Sequence, residues 1–179
     1  MKNNQGYVEN LYTTDCIRTV NGIYVNVFDP KPEMFLLDDI AHALSRQCRF
    51  GGHLKEFYSV AQHSYMCSFG VPSEFALQGL LHDASEAYMC DIPSPIKANF
   101  PEYKIIENNV MKVISEKFGI EYPFHKSIKN RDRELLEYEW ELLMLGKNED
   151  MKHIKVDIWD FKTAKENFIN RFKELKNGN

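Results

Sequence analysis

Four polar side chains, His63, His82, Asp83 and Asp132, sit among residues whose spacing belongs to buried helix faces. In Lys126 to Leu145 the apolar stripe Ile128, Leu135, Leu136, Leu142 and Leu143 has helical period, which places Asp132 near its middle. A buried carboxylate without a partner is costly enough that such groups pair, neutralise or bind a metal. His63 poses the same problem, with Val60, Met66 and Cys67 at three and four residues' spacing. Each has a plain structural account when taken singly, a salt-bridged aspartate or a hydrogen-bonded core histidine. Leu80-Leu81-His82-Asp83-Ala84-Ser85-Glu86 adds an adjacent imidazole and carboxylate after an apolar run, with Glu86 on nearly the same helical face. Together His63, His82, Asp83 and Asp132 offer two nitrogens and two carboxylate oxygens from three helices. That set suits a divalent metal ion with open water positions, and Mn, Co, Mg, Zn, Fe and Ni all remain compatible with it. A structural zinc site would more often use cysteines and close its shell. Cys16, Cys48, Cys67 and Cys90 are scattered without zinc-knuckle or redox spacing, and read as reduced core thiols.

The elements that must position these residues follow from periodicity. Apolar and β-branched residues flank Asn21-Gly22 within Cys16 to Phe28, which predicts a small N-terminal β-hairpin with a tight turn. Helices are expected over Leu37 to Arg49, Ser59 to Phe69, Ser73 to Tyr88, Pro101 to Phe118 and Lys126 to Leu145. Pro93, Pro95 and Pro101 predict a loop from Asp91 to Phe100. A short apolar alternation, Ile154 to Trp159, precedes Asp160, an N-cap for a final amphipathic helix carrying Phe161, Ala164, Phe168 and Phe172. The fold class is therefore mostly α, a helical bundle with a small N-terminal hairpin. With 179 residues, 44% of them hydrophobic, and no linker or repeat, a single domain is expected over 1–179, its site within about 35–145.

The histidine, the His-Asp pair and the distant aspartate together resemble the pattern of the HD-domain phosphohydrolases. Ala61-Gln62-His63-Ser64 resembles the first ligand segment of that family, His82-Asp83 the second, and Ile128-Lys129-Asn130-Arg131-Asp132 the last. His82-Asp83-Ala84-Ser85-Glu86 followed by Asp91 resembles the bacterial 5′-deoxynucleotidase branch, in which the glutamate and second aspartate serve catalysis. Asp39-Ile40-Ala41-His42-Ala43-Leu44, Cys48-Arg49-Phe50, Phe57-Tyr58-Ser59-Val60 and Asp91-Ile92-Pro93 look like a small group that includes phage dATP triphosphohydrolases. The resemblance covers roughly Phe35 to Leu145. It implies hydrolysis of a deoxynucleotide between phosphorus and the 5′-oxygen, releasing triphosphate or phosphate. Glu86 would position the attacking water or shuttle its proton. Asp91 would hold a second metal, contact the leaving 5′-oxygen or recognise the sugar.

Phosphate needs a local counter-charge, and helical spacing places His42, Arg46 and Arg49 on one face. Arg49 is the first choice, because its place ahead of His63 resembles that of the nucleotidase phosphate-binding arginine. Arg46 and Lys97 are further candidates. A triphosphate, toward which the resemblance inclines, needs extra bound metal ions or a convergence of Arg46, Arg49, Lys55 and Lys97 on the metal site. Phe50, Phe57 and Tyr58 could stack on a base, while His53, His125 and His153 have no constellation around them. A net charge of −4 argues against general nucleic-acid binding and leaves a small-molecule nucleotide as the expected partner. No signal-like or membrane-spanning run occurs, so a cytoplasmic location is expected. A homo-oligomer is suggested by the resemblance alone. Competing readings are a cyclic-nucleotide phosphodiesterase and a metal- or nucleotide-binding protein without turnover.

Overall fold

The computed structural model of the chain describes residues 15–147 and 157–178. The elements are β1 (Cys16–Arg18), β2 (Tyr24–Asn26), α1 (Leu37–Leu44), α2 (Val60–Cys67), α3 (Ala76–Leu81), α4 (Glu86–Met89), α5 (Ser94–Lys97), α6 (Pro101–Phe118), α7 (Lys126–Glu139) and α8 (Phe161–Asn177). Short 3-10 turns lie at Pro32–Met34, Arg49–Gly52 and Ser73–Phe75. The protein is thus mostly α with a small antiparallel hairpin near the N-terminus, the class that its periodicity predicts.

In the hairpin Ile17 lies opposite Val25. Of the Asn21-Gly22 pair only Gly22 has a positive φ, 80°. Gly22 donates its N–H to the Thr19 carbonyl at 3.0 Å, and Thr19 donates to Ile23 at 2.8 Å. The connection is therefore a longer turn relieved by one left-handed glycine, and not the tight turn expected, in which Asn21 and Gly22 would accept the positive φ angles. Asn21 instead ties the hairpin to the start of α1, its amide donating to Asp38 at 3.0 Å and Asp39 at 2.9 Å.

One long helix starts and stops where expected, and the final helix starts where expected. Pro101 opens α6 and Gly119, at φ 67°, closes it. Asp160 accepts from the Thr163 N–H at 2.7 Å to start α8, which buries Ala164 and Phe168.

Three expectations need correction. The helix from Leu37 ends at Leu44 and does not reach Arg49; Phe50 and Gly51, at φ 54° and 60°, then turn the chain. The run from Ser73 to Tyr88 is broken after Leu81. There Ala84 donates to Leu81 at 3.0 Å and Glu86 to Asp83 at 2.9 Å, a tighter ladder than that of an α-helix. Asp91 to Phe100 is not all loop: α5 forms a single turn with Pro95 in its first positions, where a missing N–H costs nothing. The α7 period continues into a π-helical turn at Trp140–Met144. Ile154 and His153 lie outside the described residues.

One core joins Val25, Leu44, Val60, Leu80, Ile114 and Phe168, so the hairpin, α1, α2, α3, α6 and α8 share it. Helix α2 packs on α3, α7 and α8, and α1 on α4 and α8. At the α2–α3 contact a Cβ on Gly79 would stand 3.1 Å from the Cys67 carbonyl oxygen and 3.1 Å from the Ser68 Cα. Only glycine accommodates that approach without displacing backbone. No helix among the described residues is long and apolar enough to cross a membrane.

Candidate metal centre

The α2–α3 and α2–α7 contacts bring together residues far apart in sequence. His63, fully buried on α2, points its Nε2 at the Asp132 Oδ1 on α7, 3.1 Å away. His82 and Asp83 occupy the tight turn after α3. The Asp83 Oδ2 lies 3.3 Å from the His82 Nε2 and 3.8 Å from the His63 Nε2, while the His82 Nε2 lies 3.7 Å from Asp132. One ligand atom each from His63, His82 and Asp132 lies within 4.8 Å of the others. Asp132 is at the edge of its stripe and not in its middle: its side chain is 42% exposed, and Leu136 beside it is also exposed.

The outer nitrogens of the two imidazoles identify the atoms that face inward. The His82 Nδ1 is 2.8 Å from the Gly79 carbonyl, which can only accept, so this nitrogen carries the proton. That carbonyl belongs to the last turn of α3, where helix carbonyls lack ladder partners. The His63 Nδ1 is 2.7 Å from the buried Glu139 carboxylate. Burial opposes the charge on Glu139, but His63, Arg49 and Tyr58 outweigh it and hold the carboxyl below its ordinary range. Glu139 therefore accepts and His63 donates. In the neutral rings both Nε2 lone pairs then face Asp132, and the His82 Nε2 is buried with no hydrogen-bond partner. Electron-rich atoms gathered this closely call for a proton or a cation between them. Burial works against a charged His82, yet Asp83 and Asp132 more than offset it and hold the imidazole well above its ordinary pKa. Burial likewise disfavours the Asp132 carboxylate, and the two histidines overcome this to hold it far below its ordinary range. The field at this point favours positive charge, and the mixed nitrogen and oxygen donors fit a divalent ion.

A cavity of about 250 Å³ opens beside these atoms, lined by Arg49, Phe50, Asp83, Glu86, Asp91, Lys97, Asp132 and Leu136 among others. Glu86 is 7% exposed, and its Oε2 has no hydrogen-bond partner. Burial, followed by the Asp83 and Asp91 charges, pushes its carboxyl well above the ordinary value, with Lys97 acting in opposition. Its Oε1 is 3.2 Å from the Lys97 Nζ, which also pairs with Glu107 at 2.8 Å. Asp91 is half-buried at the rim; burial raises its carboxyl pKa, partly countered by Arg49. Arg49 is buried, its Nε 2.8 Å from Glu139 and its Nη1 4.0 Å from Asp83.

Arg46 does not join this group. It follows the end of α1, donates to the His42 carbonyl at 3.1 Å and lies over the Phe161 ring at 4.6 Å. The shared face of His42, Arg46 and Arg49 does not form, because α1 stops before Arg49 is reached. Lys55 is exposed and does not line the cavity. Of the three aromatics proposed for stacking, Phe50 lines the cavity, Tyr58 is buried with its hydroxyl donating to Glu139 at 3.0 Å, and Phe57 borders a different cleft. His125 caps α7 and stacks on Phe75, an exposed structural role, and His53 is exposed.

Two residues at the site were missed. Glu139 lies two turns after Asp132 on the buried face of α7, a position that periodicity alone could have flagged. Gln47 donates to the Glu86 carbonyl at 2.7 Å and accepts the Asp91 N–H at 2.9 Å, fixing the chain between these acids. Its role carries no sequence signal, since it depends on a contact across the fold.

No family model matches the chain. The chain is similar to the uncharacterized protein YfdR of Escherichia coli (strain K12), 43% identical over 123 residues, which are 69% of this chain and 69% of YfdR. It is also similar to an uncharacterized protein of Rhodobacter capsulatus, 29% identical over 129 residues, 64% of this chain and 66% of that protein. With that identity over more than two thirds of each chain, the protein belongs to the same family as YfdR.

Proposed function

We propose that this protein is a metal-dependent phosphohydrolase acting on a nucleotide 5′-phosphate ester. The observation that carries the reading is the convergence of the His63, His82 and Asp132 ligand atoms within 4.8 Å, beside a cavity that also holds Glu86, Asp91, Arg49 and Lys97. The resemblance of these same residues to the HD-domain phosphohydrolases supports it. His63, His82, Asp83 and Asp132 would hold the ion. When bound, a divalent ion supplies Lewis-acid polarisation and a water of lowered pKa.

The remaining work falls to the protein's own side chains. Arg49 offers its terminal guanidinium nitrogens to phosphate oxygens. Glu86, with a free Oε2 and a carboxyl pushed up by burial, takes a proton from the attacking water and returns it to the leaving side. Asp91, at the rim, faces the sugar or the leaving 5′-oxygen. The apolar part of the substrate has a neighbouring cleft of about 280 Å³, lined by Ile96, Phe100 and Tyr103 and sharing Ile92 and Lys97 with the polar cavity.

Charge counting favours a monophosphate over a triphosphate. Asp83, Glu86, Asp91 and Asp132 line the cavity against Arg49 and Lys97, and Lys97 is already engaged by two carboxylates. Arg46 and Lys55 stand elsewhere, so a triphosphate would depend on additional metal ions. The test is a screen of deoxynucleoside mono- and triphosphates with Mn, Co, Mg and Zn, identifying products by mass. Orthophosphate from monophosphates supports the proposal. Intact triphosphate as the main product would overturn the substrate preference, and no turnover with any metal would leave a binding protein.

A further inference from the structure

Glu139 is the most deeply buried carboxylate near the site, 1% exposed, and it touches neither the cavity nor an inward-facing ligand atom. An acid in such a place is expensive unless its oxygens are fully served. Here they are served by groups with unrelated tasks. Oε1 receives the His63 Nδ1–H at 2.7 Å and the Tyr58 hydroxyl at 3.0 Å, and Oε2 receives the Arg49 Nε–H at 2.8 Å. Backbone bonds hold this arrangement together: Arg49 donates to the Tyr58 carbonyl at 2.9 Å, and Val60 to the Gln47 carbonyl at 3.1 Å. Loop 47–50 and the start of α2 are thus fastened side by side around one carboxylate from α7.

On this geometry, and resting on the metal-dependent reading above, we propose that Glu139 is a positioning residue that prepares the cation site and the phosphate site together. Through Oε1 it fixes the His63 tautomer, so that the Nε2 presents a lone pair toward Asp132. Through Oε2 it takes the inner nitrogen of Arg49 and leaves the two terminal nitrogens for an anion in the cavity. One carboxylate does both because its two oxygens face different partners. A glutamine cannot replace it. An amide offers one acceptor and one donor, so either His63 and Tyr58 or Arg49 would meet an N–H group.

Glu139→Gln is therefore expected to weaken metal binding about 10- to 100-fold, the usual cost of losing a partner behind a ligating histidine. It should also weaken the binding of inorganic phosphate, used as the anion probe. In the metal-free protein, ¹⁵N shifts of the His63 ring report the tautomer directly: Nδ1–H in the natural protein, and loss of that preference in Glu139→Gln. Tyr58→Phe removes one donor but leaves both pairings, so it should retain the tautomer and most of the metal affinity. A folded Glu139→Gln that keeps the Nδ1–H tautomer and natural metal and phosphate affinities would overturn the proposal. If Glu139→Gln does not fold, an Nε2–H tautomer in the natural metal-free protein would overturn it and an Nδ1–H tautomer would support it. Should the natural protein bind no metal at all, the hydrolase reading falls, while the ring shifts still decide what Glu139 does to His63.

Discussion

Gly79→Ala tests whether the spacing between α2 and α3 sets the proposed metal centre. The added methyl would lie 3.1 Å from the Cys67 oxygen, 3.1 Å from the Ser68 Cα and 3.3 Å from the Cys67 carbonyl carbon. These are backbone atoms, so the helices themselves must separate by a few tenths of an ångström. Overpacking of this size costs about 1–3 kcal/mol. Replacing a helical glycine by alanine returns about 1 kcal/mol, leaving a net loss of about 0–2 kcal/mol. The functional effect follows from what the two helices carry. His63 lies one turn before Cys67, and His82 is tethered at 2.8 Å to the carbonyl of Gly79 itself. Losing a partner behind a ligating histidine costs about 10- to 100-fold in metal affinity, and a shift of a few tenths of an ångström that keeps every partner should cost less, up to about 10-fold. Urea unfolding of the metal-free protein and a metal titration of the folded variant measure the two effects separately. A variant as stable as the natural protein and equally tight for metal would refute the role assigned to this contact.

His82→Ala and Asp83→Ala should each remove tight metal retention and activity together, read by elemental analysis of the purified proteins; full occupancy in both would remove these residues from the ligand set. Glu86→Ala should keep fold and metal while kcat falls about 10²- to 10⁴-fold, the range for lost acid or base assistance, and metal loss would make Glu86 a ligand instead. The same site gives a pH signature through Glu86→Gln. Because burial and the Asp83 and Asp91 charges raise the Glu86 carboxyl well above its ordinary 4.5, ionising it opposes folding. That penalty is absent in acid and grows as pH rises above the ordinary value. Metal-free Glu86→Gln should therefore unfold at higher urea than the natural protein at pH 8, with the gap closing toward pH 4; the Lys97–Glu107 pair, 2.8 Å in the natural protein, is expected to persist in the variant. A gap that is constant with pH, or reversed, would refute the assignment of a strained carboxyl.

By itself the sequence determined the helical class, the hairpin and the identity of the polar residues that do not belong on apolar faces, because each is a local matter of period and residue type. Asp160 could be read as a helix boundary for the same reason: a cap is completed within a few residues of itself. His63 was legible because a buried polar group is anomalous in its own helix, whatever lies opposite, whereas His82, Asp83 and Asp132 were legible from residue type and spacing although His82 and Asp83 lie in a turn and Asp132 at the edge of its stripe. Tertiary structure alone decided how they meet. The break after Leu81 follows the chain's local preference only in part, since the His82 side chain takes a carbonyl of the preceding turn while its other face looks across to α2 and α7. Arg46 and Arg49 have the same charge and stand close in sequence, yet the end of α1 sends one onto Phe161 and buries the other against Glu139. Glu139 and Gln47 gain their roles from partners dozens of residues away, and helical periodicity carries no information about which distant group will lie opposite a given face.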